Sequence, residues 1–126
     1  VVYPIEFNPL RFAGLCTTDL SFFAYGFKTY ESYLNNIQPS WDEVLAGKEG
    51  KRYSMVMLST DGTSLSDHYS FDYDAVQQKF SKVLTCRKLK AKQYNTFGVL
   101  FTEASDEAWQ KESDYILRST LEEFLS

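Results

Sequence analysis

Two β-rich runs flank the dipeptide Asp61-Gly62, and they set the first expectation for this chain. Tyr53 to Thr60 predicts a strand, and Thr63 to Phe71 predicts its return partner. An Asp-Gly pair between such runs favours a type I′ turn, which needs φ > 0 at both central residues. Upstream the spacing is helical. Thr17-Thr18-Asp19 offers an N-cap region, and Leu20, Phe23, Ala24, Phe27, Tyr30 and Leu34 recur every three or four residues. Gly26 sits inside that stripe, where glycine costs up to about 1 kcal/mol relative to alanine. Phe22 and Tyr25 lie off the stripe, so this helix either buries two sides or presents rings to a partner. Asn35-Asn36 suits its end.

Ser40-Trp41-Asp42-Glu43 reads as a capping box opening a short helix to Leu45 or Ala46, with Gly47 closing it in the left-handed conformation. Asp72 or Asp74 caps the next helix, whose stripe is Val76, Phe80, Val83 and Leu84. Arg87 and Lys88 then complement its C-terminal dipole. Tyr94–Thr102 predicts a strand. Ser105-Asp106-Glu107 opens a last helix with Trp109, Ile116, Leu117, Leu121, Phe124 and Leu125 as its apolar face. Val1–Phe7 is short and β-prone, and Pro4 confines it to an edge strand or an extended arm. The expected order is β-α-α-β-β-α-β-α. That order predicts a single α+β domain over residues 1–126: an antiparallel sheet of three or four strands with helices mainly on one face.

Composition adds one anomaly. A chain of 126 residues needs large side chains in its core, yet nine Tyr accompany ten Phe and two Trp. Each buried Tyr hydroxyl needs a hydrogen-bond partner, so some of these rings are expected at the surface, where Tyr suits recognition. Phe22, Tyr25 and Tyr33 are the candidates. A net charge of −4 disfavours binding to nucleic acid or anionic membrane. No apolar run reaches the roughly 18 residues of a membrane span, and no signal-peptide pattern is present, so a cytoplasmic location is expected. Cys16 and Cys86 with a single histidine make no zinc pattern, and are expected as free thiols acting as small apolar groups.

Charge is segregated along the chain. Lys79, Lys82, Arg87, Lys88, Lys90 and Lys92 fall in a stretch with no acid between Ala75 and Thr102. Such asymmetry marks Arg87, Lys88, Lys90 and Lys92 as a candidate contact for a protein partner with an acidic face. His68 is the remaining candidate for chemistry, with Asp67, Asp72 and Asp74 near it in sequence. It lacks a nucleophile motif, and the three acids lack the glycine and distal glutamate of an EF-hand loop. The two later acids are better used as helix caps. No phosphate-binding glycine-rich loop occurs, so no cofactor, metal or catalytic residue is assigned.

The element order resembles that of the acetyltransferase (GNAT) arrangement, in which a glycine-rich turn opens the helix after the antiparallel strands. The corresponding place here is Phe71-Asp72-Tyr73-Asp74-Ala75, with no glycine and two acids that would repel phosphate. The resemblance therefore extends to the fold and carries no activity. The leading expectation is a non-enzymatic protein-binding module of immunity, inhibitor or phage-accessory type. The alternatives are a small enzyme around His68 and its neighbouring Asp residues, and, from the Val1 start, a subunit or excised domain of a larger assembly.

Overall fold

A computed structural model describes residues 16–59, 70–90 and 96–126. Val1–Phe7, the Asp61-Gly62 turn, Asp67, His68 and Lys92 lie outside the described residues. Within them the order is α1 (Thr17–Tyr25), α2 (Thr29–Leu34), α3 (Trp41–Leu45), β1 (Lys51–Ser59), α4 (Tyr73–Gln77), β2 (Val83–Lys88), β3 (Thr96–Ser105), α5 (Asp106–Arg118) and a 3-10 turn (Leu121–Phe124). The fold is α+β, with a three-stranded antiparallel sheet in the order β1-β3-β2.

The central strand explains the sheet. Phe97, Val99, Leu100 and Phe101 are all buried, because β3 has a neighbour on each edge and cover on each face. Val56 lies opposite Leu100 and Leu58 opposite Gly98, while Met55 and Met57 face Phe101 and Val99. Side chains alternate between faces along a strand, so these are two different layers. On the Leu100 side, Val76, Phe80 and Phe124 complete the core, and the Trp109 indole N–H donates to Ser54 Oγ at 2.9 Å. On the Phe101 side lies α1, with the Phe23 ring 4.8 Å from Phe101 and the Tyr25 ring 5.1 Å from Tyr53. Helices therefore cover both faces of the sheet rather than mainly one. A register shift between Leu58 and Ser59 leaves Phe97 without an opposite residue. A bulge of this kind re-aims a side chain. Phe97 joins the Leu100 cluster and stacks on Phe71 with centroids 4.5 Å apart.

Several local expectations hold. Asp72 caps α4, accepting from the N–H groups of Asp74 and Ala75. Ser105 caps α5 by accepting from Ala108 N–H at 3.3 Å. Gly47 takes φ +69°, and both cysteines are half-buried free thiols.

Five differ. The helix expected from Thr17 to Leu34 is two helices. Gly26 adopts φ +72°, where residues with a Cβ are strained, and ends α1 with its N–H on the Phe22 carbonyl. Ser21 fastens the bend, bonding through Oγ to the Thr18 and Phe27 carbonyls and to the Thr29 hydroxyl. The Ser40 side chain makes no cap hydrogen bond, so the capping box is not formed. The helix expected over Val76–Leu84 stops at Gln77, and Val83 begins β2. Its stripe of four apolar residues fits a helix, but a short apolar run fits a strand equally, and pairing with β3 decides. Phe71, expected to close the return strand of the hairpin, instead bridges Leu125 at the chain's end. The face of α5 also shifts. Ile116 is exposed and Leu117 is 84% exposed, whereas Glu112 is buried, its carboxylate accepting the Ser81 N–H at 2.7 Å.

Candidate functional site

The bend that splits the first helix creates an open groove. Gly26 turns the chain, α2 ends at Leu34, and Asn36 just beyond it takes φ +51° on the way to α3. Phe27, Thr29, Ser32, Tyr33, Asn36 and Ile37 line a groove of about 320 Å³. That size is at the small end of ordinary ligand sites, enough for a large side chain or two. Trp41 on α3 packs beside the groove, its ring 5.7 Å from the Phe27 ring that lines it. Tyr33 is 55% exposed, Ile37 52% and Trp41 57%. Large apolar groups clustered at a concave surface mark an interaction site more strongly than single exposed residues do. Ser32 and Asn36 add hydrogen-bonding groups to the same lining.

The sequence-derived candidates are not brought to one place. Tyr33 lies in the groove, but Tyr25 is half-buried against Tyr53, and Phe22 packs edge-on against Phe23 with 44% of its surface exposed. Ile37 belongs to the groove and Trp41 packs beside it, and they carry no helical stripe of their own.

The basic stretch is largely matched by acids from other elements. Arg87 Nη1 bonds Asp19 on α1 and the Cys16 sulfur. Lys88 lies 4.5 Å above the Tyr73 ring. Lys79 approaches Glu123 at 3.9 Å, and Lys82 bonds Glu103 at 3.1 Å. Lys90 is exposed and has no ion-pair partner among the described residues. Asp72, the residue at the place that resembles the phosphate turn, uses its carboxylate in the α4 cap. Among the described residues no three of His, Cys, Asp and Glu converge as a metal site, and no helix is long and apolar enough to cross a membrane.

Glu103 is the most perturbed acid of this surface. Burial raises the pKa of its carboxyl, but the hydrogen bond from Lys82 and the charges of Lys51 and Lys82 outweigh burial and hold it below the usual carboxylate range. A group whose pKa is lowered by folding adds stability that is complete above its unfolded value. That stability is lost as the pH falls through the lowered folded value. Acid titration of stability should therefore be shallower in Glu103→Gln than in the parent below the ordinary glutamate range. Parallel acid curves for the two proteins would rule out this role.

Comparison with protein families, characterised proteins and solved structures finds no match for the chain.

Proposed function

We propose that this chain is a non-enzymatic protein-binding module that docks through the groove along α2 and the segments that flank it. One observation carries the reading: Tyr33 and Ile37 are large, more than half exposed and line one concavity, and the similarly exposed Trp41 packs against its Phe27 wall. Exposed aromatic groups beside a groove act as anchors for a partner, and a few such residues dominate binding energy. The basic run contributes less, since Asp19, Glu103 and Glu123 already engage three of its cations.

Affinity capture from the source cells tests the reading when two matched variants are compared. Trp41→Ser removes the anchor, and Leu117→Ser removes a still more exposed apolar group on α5, outside the groove lining. A specific partner should be held by the parent and by Leu117→Ser, and lost by Trp41→Ser at unchanged thermal stability. Retention by Trp41→Ser would move the docking surface elsewhere.

A further inference from the structure

We infer that the outer edge of β1 pairs with the same edge of a second copy of this chain, the two strands running antiparallel about a two-fold axis at Met55. This surface is separate from the groove. Among the described residues β1 pairs with β3 alone, so its other edge presents a row of backbone N–H and C=O groups. Phe71, the expected end of a return strand along β1, does not cover that edge. Its ring stacks on Phe97, whose neighbours Thr96 and Gly98 pair with Ser59 and Leu58. A strand returning from a two-residue turn at Asp61-Gly62 would carry Phe71 back to Arg52, about 20 Å further along β1.

Exposed edges are ordinarily guarded by charge, proline, shortness or a bulge. β2, on the opposite side of the sheet, is guarded. It is short, carries Arg87 and Lys88, and shifts register between Val83 and Thr85. β1 is nine residues long and its guards stand only at its ends. Lys51 and Arg52 occupy one end, and the register shift between Leu58 and Ser59 the other. Tyr53-Ser54-Met55-Val56-Met57-Leu58 between them holds no charge and no proline. Tyr25 of α1 and Trp109 of α5 reach the two faces of this run, which leaves its outer edge for another strand.

Charge and exposure identify that strand as a second β1. The two strands overlap fully when Lys51 of one copy lies opposite Ser59 of the other. Lys51 and Arg52 of the two copies then stand at opposite ends of the new ladder, each facing an uncharged residue, so no like charges meet. Met55 lies opposite itself, and Tyr53 lies opposite Met57. Residues opposite one another on antiparallel strands share a face. Tyr53 of the copy therefore covers Met57, which is 47% exposed and the only exposed apolar side chain of β1. Contact between a thioether and an aromatic ring is favourable, and the two-fold axis forms it twice. An isologous pairing of this kind closes at two copies and joins their three-stranded sheets into one.

Sedimentation of the full chain tests the pairing. Strand addition alone makes a small interface, so the chain should be dimeric near about 100 μM and monomeric near about 1 μM. Met57→Lys sets a charge in the middle of the unguarded run, at a side chain that is already exposed. It should be monomeric at both concentrations, with the thermal stability of the monomer unchanged. Leu117→Lys on α5 and Trp41→Ser beside the groove should dimerise like the parent. Amide exchange gives a second reading without any variant. Alternate backbone N–H groups between Arg52 and Leu58 should exchange more slowly at the higher concentration than at the lower.

A parent that stays monomeric at the higher concentration overturns the inference, and amide exchange then names the state of the edge. Slow alternate amides in the monomer assign it to another segment of this chain, and fast ones leave it open. β1 amides whose exchange ignores concentration in a dimer overturn the inference as well. A dimer kept in Met57→Lys and lost in Trp41→Ser moves the second copy to the groove, which overturns the edge pairing and leaves the docking reading standing.

Discussion

Replacing Phe101 by alanine should destabilise the protein by about 3–5 kcal/mol, as truncation of a buried aromatic ring in a core does. Phe101 is completely buried at the middle of the central strand. It faces Met55 on one neighbour and Thr85 on the other, and the Phe23 ring of α1 lies 4.8 Å away. Removing the ring leaves a cavity that three elements line. None can close it without moving the others, because interiors are close-packed. A typical domain is stable by only about 5–15 kcal/mol, so the loss is a large fraction of the total. Urea unfolding measures it directly. Phe101→Leu should lose much less, since it keeps most of the volume. A Phe101→Ala protein within about 1 kcal/mol of the parent would show that α1 does not pack on this face.

Gly98→Ala should cost about 1–3 kcal/mol, the usual penalty for forcing atoms into a packed core. The added methyl group would meet the Arg87 carbonyl oxygen at 2.6 Å, and the Tyr73 ring edge at 3.5 Å. The first contact is with the backbone of β2 and has no rotamer through which to yield. The second lies on a ring held by its hydroxyl, which donates to the Phe97 carbonyl at 2.9 Å. Valine at this position should be worse than alanine, because it adds bulk toward the same strand. The denaturation midpoint reads the effect. An unchanged midpoint for Gly98→Ala would mean that β2 and β3 are not held at this separation.

Local chemistry was the legible part of the sequence. Asp72 and Ser105 cap helices because a short polar side chain next to free N–H groups satisfies them wherever the helix lies. The strand content of β1 and β3 was legible for a similar reason, since their apolar runs are long enough to exclude ambiguity. What escaped was set by distant partners. Val83 and Leu84 continue a helical stripe with Val76 and Phe80, and only Thr102, some way along the chain, makes Val83 a strand residue. Glu112 occupies a core position on α5 that pattern gives to an apolar side chain, because the Ser81 N–H needs an acceptor there. The basic stretch read as unbalanced because Asp19, Glu103 and Glu123 reach it only in the fold. The candidate site was half legible. Tyr33 is legible as an exposed ring, but the groove depends on the bend at Gly26, after which Phe27 packs against Trp41.

The strand order has a cost that falls unevenly along the chain. β2 and β3 are joined by a short connection, so Lys88 meets Gly98 after little closure of the chain. β1 meets the same central strand only across separations of 37 residues at Ser59 and Thr96, widening to 54 between Lys51 and Ser105. Loop-closure entropy grows with the logarithm of length, which makes the β1 pairing more expensive than the β2 pairing by about 1 kcal/mol before any side chain packs. β2 and β3 therefore form the economical hairpin of this domain, and the Met55, Val56, Met57 and Leu58 side chains of β1 must supply the compensation for the longer excursion.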